Sequence, residues 1–228
     1  MQLEKKQKPA LGDDNNALVA LLAINLVVFV IMGLMKVIYY LESLPVAQYF
    51  NQIYYPLTLQ SDWYTHPWTL LTYNWVHSGF WILFGNMVWL TLFSNVLQSN
   101  GANKHLFPIY FYSGLLSPIA FIFLTSNQPL IGSTACVTSI VIACVSLTPN
   151  YKILSSVGGG IPIWIFGVLY ILLQGYSLLE APLALILTTL LGGLTGFIYI
   201  MLLKKGTDLG KWMHQLLHLM NNSLTPKN

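Results

Sequence analysis

Six stretches of this chain are apolar and close to the length that crosses a lipid bilayer, and this feature limits the possible folds more than any other. A spanning α-helix needs about 20 predominantly apolar residues, with a usual range of about 17–25. The stretches cover residues 17–38, 79–97, 106–124, 132–147, 161–179 and 182–203. Asn-, Gly- and Pro-containing segments separate several of them, as expected of turns. The pattern predicts an all-α, polytopic membrane protein built as a six-helix bundle.

The composition supports this prediction and excludes several classes of protein. Of the 228 residues, 55% are hydrophobic and only 7% are charged, and the mean hydropathy is +0.63. A soluble domain carries about 25% charged residues, because its surface must face water. A soluble enzyme and a disordered chain are therefore excluded. All ten basic residues are lysines and the net charge is only +3, so we expect the lipid bilayer rather than nucleic acid as the surrounding partner.

The lysines predict the orientation and the domain organisation. With six spans, one side of the membrane receives the two tails and the second and fourth loops, and Lys36 is the one lysine elsewhere. That side holds Lys5, Lys6, Lys8, Lys104, Lys152, Lys204, Lys205, Lys211 and Lys227. The positive-inside rule places both termini in the cytoplasm. We thus predict a cytoplasmic tail over 1–16, a membrane domain over 17–203 and a second cytoplasmic tail over 204–228.

Two segments outside the spans are expected to lie in the membrane interface. The long first loop, 39–76, is rich in Tyr and Trp, which favour that position. The segment 211–220 resembles a short interfacial amphipathic helix. Its His214 and His218 are four residues apart, but no third ligand is near, so no metal site is predicted.

Polar residues inside or at the ends of the spans are the candidate functional residues, since such groups are costly in a bilayer. They are His77, Asn86, Ser133, Thr134, Thr188 and Thr189. The topology places His77, Thr134 and Thr189 in the outer half of the bundle, where they could meet. A purely structural interpretation is also open. Gly192-x-x-x-Gly196 is a membrane helix-packing motif, and Ser or Thr often joins helices by hydrogen bonds.

The arrangement of these residues, from about 17 to 212, resembles the rhomboid family of intramembrane serine proteases in its six-span bacterial form. In that family the second span reads His-x4-His-x3-Asn, the fourth opens with Gly-x-Ser-Gly or Gly-Ala-Ser-Ala, and the sixth reads His-x2-Gly-x3-Gly. Here the corresponding segments are 77–86, Gly132-Ser133-Thr134-Ala135 and 189–196. The resemblance implies a rhomboid-like bundle with its site in the outer half.

The chain departs from the family pattern at each catalytic position. The resemblance implies a nucleophile at Thr134 and a general base at Thr189, but a threonine hydroxyl cannot take a proton from another alcohol at neutral pH. Ile82 stands where the second-span histidine of the oxyanion region is expected. His77 and Asn86 keep their family positions, and Asn86 retains an amide that can donate to an oxyanion. The dyad is therefore not intact.

Three interpretations of function follow. We favour a pseudoprotease that binds or regulates transmembrane segments of client proteins, or an active rhomboid, without cleaving them. The alternative is an active endopeptidase using Thr134 or Ser133 with His77, because His66 is the only other histidine on the outer side. We prefer His77 as a helix-start residue that bonds to the first loop. A transporter is disfavoured, since no charged residue lies within a span interior.

The remaining expectations are simple. We predict no cofactor, and a location in the bacterial cytoplasmic (inner) membrane as a multi-pass protein. Cys136 and Cys144 would lie about 12 Å apart along one helix, too far for a disulfide.

Overall fold

The computed structural model describes residues 17–124, 128–154, 159–213 and 215, which are mostly helical. Within them the α-helices are α1 (Ala17–Leu41), α2 (Val46–Tyr49), α3 (Thr69–Thr72), α4 (Phe80–Ser99), α5 (Leu106–Leu116), α6 (Ile119–Leu124), α7 (Thr134–Leu147), α8 (Ile163–Ser177) and α9 (Leu183–Lys204). Short 3₁₀ turns and one π-helical turn (Phe50–Tyr54) join some of them. Two strands, β1 (Lys152–Ile153) and β2 (Ile161–Pro162), form an antiparallel hairpin between α7 and α8.

Four helical stretches of the described chain are long and apolar enough to cross a membrane. They are Ala17–Leu41, Phe80–Ser99, Asn103–Leu124 and Leu183–Lys204. They coincide with the predicted first, second, third and sixth spans. The other two predicted spans coincide with α7 and α8, which have 14 and 15 residues and rise only about 21–23 Å. The count of six spans therefore stays a prediction.

Helix α7 is the central helix of the bundle. It has no charged residue, and its small side chains allow neighbours to approach closely on every side. Every residue from Ala135 to Val141 is buried, as are Ala143 and Cys144. The fourth apolar stretch therefore packs inside the bundle. Cys136 and Cys144 are both free thiols, so the prediction that they form no disulfide is correct.

Helix α9 packs on α7 through two glycines. A Cβ atom at Gly192 would overlap the carbonyl oxygen of Ala135, and one at Gly196 would overlap that of Ser139. Both contacts advance by four residues in the same direction, so α7 and α9 run parallel. Only glycine permits this approach of one backbone to another. The two contacts fix the axial register of α9 relative to α7, and with it the level along the bundle of every other residue on α9.

The segment that precedes α4 is held against the bundle by polar contacts. Pro118 has no N–H, so the carbonyl of Gly114, four residues earlier, receives no helical hydrogen bond. The hydroxyl of Tyr73 donates to that carbonyl at 2.9 Å and lies 3.1 Å from Ser117 Oγ. The break between α5 and α6 therefore supplies the acceptor that anchors the first loop. Farther along this segment, the ring of Trp75 stacks on Tyr110 of α5.

The segment after α9 returns to α5. The Tyr112 hydroxyl donates to the Leu209 carbonyl at 3.0 Å, and the Trp212 indole N–H donates to Tyr112 at 2.6 Å. These bonds close the end of the bundle opposite the first loop. His214, His218 and most of the predicted amphipathic helix lie outside the described residues, as does the 1–16 tail.

Candidate functional site

The start of α7 brings the candidate residues together. Gly132 has a φ of +90°, a backbone conformation that side-chain-bearing residues rarely adopt. Its N–H donates to the Tyr73 carbonyl at 2.9 Å, which joins this turn to the first loop. The chain then enters α7 with Ser133 as the residue before the helix and Thr134 as its first residue. The turn therefore places two adjacent hydroxyl groups beside different neighbours.

The Thr134 hydroxyl faces an amide. Asn86 Nδ2 of α4 donates to Thr134 Oγ1 at 3.3 Å, so this pair of family positions meets across the α4–α7 interface. An amide nitrogen has no free lone pair that takes a proton, so Asn86 cannot activate the threonine. The amide that would serve an oxyanion is engaged with the hydroxyl at the nucleophile position.

Thr189 stands at the height of the α7 start but bonds to its own helix. It lies one turn before Gly192, so the parallel packing of α9 on α7 places it near Thr134. Its hydroxyl donates to the Leu185 carbonyl at 3.1 Å, and the neighbouring Thr188 bonds in the same way to Ala184 at 2.7 Å. Such back-bonding is a common way for a helical threonine to satisfy its hydroxyl. The base position thus carries a satisfied hydroxyl and no proton acceptor.

His77 forms a hydrogen-bonded pair with Ser133. Its Nδ1 lies 3.1 Å from the Trp75 carbonyl, and its Nε2 lies 3.1 Å from Ser133 Oγ. Because the carbonyl only accepts, Nδ1 carries the proton and Nε2 accepts from the serine. His77 lies three residues before α4 and is bonded to the first loop through Trp75, as expected. Its second bond, to Ser133, joins one of the two pairs named for the alternative endopeptidase.

This pair belongs to a longer buried network that the sequence analysis missed. The Tyr110 side chain interacts with Ser133, and Asn25 Nδ2 lies 3.4 Å from the Tyr110 hydroxyl. Asn25 is the one uncharged polar residue of the first apolar stretch. A polar group within a span is costly unless it is bonded, so its presence indicates a buried polar contact or a functional site. The network joins α1, α5 and α7 to the segment before α4. It gives Ser133 and His77 a structural role.

The other candidates lie apart from this centre. Ile82 is 51% exposed and has no group that donates to an oxyanion. His66 contacts Thr65, with 2.7 Å between Nδ1 and the hydroxyl, and its ring packs against Trp68 in the first loop. Among the described residues, no group of three or more His, Cys, Asp or Glu side chains could hold a metal ion.

We expect the stability of the protein to fall as the pH drops from about 6.5 to 4. Burial lowers the pKa of His77 from 6.5 to about 4, and the Trp75 carbonyl opposes this only in part. The unfolded chain therefore takes up this proton at a higher pH than the folded protein, so stability is full above pH 6.5 and declines toward pH 4. Thermal unfolding followed by circular dichroism should show a weaker pH dependence in His77→Gln. An equal pH dependence in the wild type and in His77→Gln would contradict the assignment of this proton uptake to His77.

Part of the chain matches a known protein family. Residues 64–206 match the family model described as the Rhomboid domain. That range contains the first-loop anchor, α4 to α9 and every candidate catalytic position. The chain belongs to the rhomboid family, and its apolar helices identify it as an integral membrane protein. A search of curated proteins found no match.

Proposed function

We propose that this protein is a rhomboid pseudoprotease, which binds transmembrane segments of other membrane proteins without cutting them. One observation carries the proposal: the hydroxyl at the nucleophile position, Thr134, meets the N–H group of Asn86, and the base position holds Thr189 bonded to its own helix. Neither neighbour takes a proton, and an alcohol without a base is a weak nucleophile. The clients include, as one class, catalytically active rhomboids.

The open side between α4 and α8 is the proposed binding surface. The two helices meet where the ring of Tyr170 packs edge-on against Trp89. Beyond this contact, toward the first-loop end, both helices present large apolar side chains that the bundle does not cover. The most exposed are Trp81 at 78% and Tyr176 at 79%. A client helix that binds between α4 and α8 exchanges its contacts with lipid for packing against these aromatic rings. From there it reaches the polar start of α7.

The proposed arrangement in the membrane has six spans, with both termini in the cytoplasm of a bacterial inner membrane. The distribution of lysines supports this orientation. The parallel course of α7 and α9 is required if they are the fourth and sixth spans. The short length of α7 is compatible with this assignment, because a buried helix and its flanking turns are enclosed by protein rather than lipid.

Photocrosslinking in bacterial membranes tests the client-binding surface. A photoreactive amino acid at Trp81 or Tyr176 should crosslink to transmembrane segments of other proteins, identified by mass spectrometry. The same probe at Val27 of α1, which is 53% exposed, is the control on a separate helix. The proposal fails if the three positions give the same crosslinks, or if only lipid is captured.

A second candidate, an unconventional endopeptidase, is favoured by the Ser133–His77 hydrogen bond. The tautomer is correct for a general base, since the protonated Nδ1 faces the Trp75 carbonyl and Nε2 faces the serine. The burial of the pair speaks against this function. Ser133 has no exposed surface and His77 only 6%, so a substrate carbonyl could reach the serine only if the α7 start opened.

A further inference from the structure

A cavity of about 320 Å³ lies at the end of the bundle opposite the first loop. It is open to the surface and lies between α4, the β1–β2 hairpin and α8. Its inner wall is formed by Leu92, Val96 and Phe166, and Asn95, Ser99 and Tyr151 lie around it. The site proposed for clients lies at the other end of α4, so this cavity is separate from it.

The end of the bundle that holds this cavity is positively charged. The Lys204 ammonium donates to the Ser146 carbonyl, which places the ends of α9 and α7 side by side, next to the hairpin. Among the described residues this end carries five lysines and one carboxylate, and that carboxylate, Asp208, accepts a hydrogen bond from the Gly210 N–H. The lysines are Lys104, Lys152, Lys204, Lys205 and Lys211. The other three carboxylates of the described residues, Glu42, Asp62 and Glu180, belong with Lys36 to the opposite end.

Two of these lysines belong to segments that adjoin the cavity lining, Lys152 to β1 and Lys104 to the turn after α4. Lys152 lies between the lining residues Tyr151 and Ile153, and its aliphatic stem runs beside Gly160 of the hairpin. Lys104 belongs to the turn directly after α4, which a bond from Gln98 Nε2 to Asn103 Oδ1 holds against the helix end. Within the described part of the chain, neither ammonium forms an ion pair with a carboxylate.

We propose that the cavity binds an acyl chain of an anionic phospholipid, whose phosphate lies against Lys104 and Lys152. The part of α4 that lines the cavity, from Ser99 at its mouth to Leu92, extends about 10 Å, comparable to the depth to which interfacial segments enter the headgroup and acyl boundary. A soluble anion would gain no binding energy from the apolar lining, and a neutral lipid would gain none from the lysines. An apolar lining together with lysines therefore favours an anionic lipid of this leaflet. This inference does not depend on what the first-loop end of the bundle binds.

Native mass spectrometry of the purified full chain with added lipid tests the site. Phosphatidylglycerol should bind more tightly than phosphatidylcholine. Each lysine near an anionic headgroup is worth about fivefold in affinity. The double variant K104Q/K152Q should therefore bind phosphatidylglycerol about 10- to 25-fold more weakly, with phosphatidylcholine binding unchanged. The control Lys205→Gln removes the same charge from the same end and should change either affinity less than about twofold.

A second variant tests the apolar part without changing charge. Ser99→Trp places an indole at the mouth of the cavity, and the exposed position of Ser99 makes the change compatible with folding. It should abolish tight binding of both lipids. Unchanged phosphatidylglycerol binding in either K104Q/K152Q or Ser99→Trp would overturn the proposal. So would an equal loss in Lys205→Gln, or tight binding of glycerophosphoglycerol alone, which has the headgroup but no acyl chain.

Discussion

Replacing Gly196 with alanine is expected to lower the free energy of unfolding by about 2–3 kcal/mol, near the upper end of the usual cost of overpacking. The added Cβ would overlap the Ser139 carbonyl oxygen, which belongs to the backbone of α7 and has no rotamer to change. The two helices must therefore separate, which weakens the packing along the whole α7–α9 contact. A shift of this size lowers the midpoint of thermal unfolding by about 5–10 °C.

The matched control for this change is Gly85→Ala. Gly85 also lies within a helix, α4, but no atom lies within 4 Å of the position of its Cβ. There alanine should leave stability unchanged or raise it by about 0.5–1 kcal/mol, because it favours the helix. The two cysteines of the chain, Cys136 and Cys144, are both buried and free, so a thiol-reactive fluorophore reports unfolding directly. Equal midpoints for the two variants would contradict the close α7–α9 contact.

The double variant T134S/T189H is expected to gain protease-type reactivity. The register fixed by Gly192 and Gly196 places residue 189 beside the start of α7, so a histidine there should reach a serine at 134. A positioned general base is worth about 10²–10⁴ in rate, and each single variant lacks half of the pair. Labelling by a fluorophosphonate probe should therefore rise about 100-fold or more over both single variants.

The control for the gained reactivity is T134S/T188H. It adds the same imidazole one residue earlier, about 100° around α9, and should remain unreactive. If T134S/T189H folds but reacts no better than this control, residue 189 does not face the nucleophile position.

The sequence was sufficient to predict most of the helices and the family, for identifiable physical reasons. Apolar runs near 20 residues long have few folds available, and glycines four residues apart on α9 indicated a close helix contact whose partner the structure identifies as α7. The matched range, 64–206, contains the three motifs on which the resemblance was based. The predicted stretches 132–147 and 161–179 lie within two residues of α7 and α8 at each end, but helices of 14 and 15 residues are shorter than the usual spanning length, so their hydropathy alone did not decide whether they cross the membrane.

The Ser133–His77 bond shows that contacts between residues far apart in the chain are harder to predict from a sequence than helices are. The two residues are 56 positions apart, and their contact depends on the Gly132 turn and on the anchoring of Tyr73 to the α5–α6 break. Ser133 with His77 was one of the two pairs named for an endopeptidase, but the sequence could not decide whether Ser133 or Thr134 meets the imidazole, because the separation along the chain gives no measure of distance in space. Asn25 and Tyr110 were missed for the same reason, although an asparagine within an apolar stretch was a usable signal.

The proposal that this rhomboid does not cut its clients is tested most directly by reacting the purified wild-type protein with a fluorophosphonate probe and a transmembrane substrate. We expect no labelled peptide containing Ser133 or Thr134 and an intact substrate, under conditions in which T134S/T189H is labelled. Labelling of wild-type Ser133 that disappears in both Ser133→Ala and His77→Ala, together with cleaved substrate, would contradict it and establish the second candidate function.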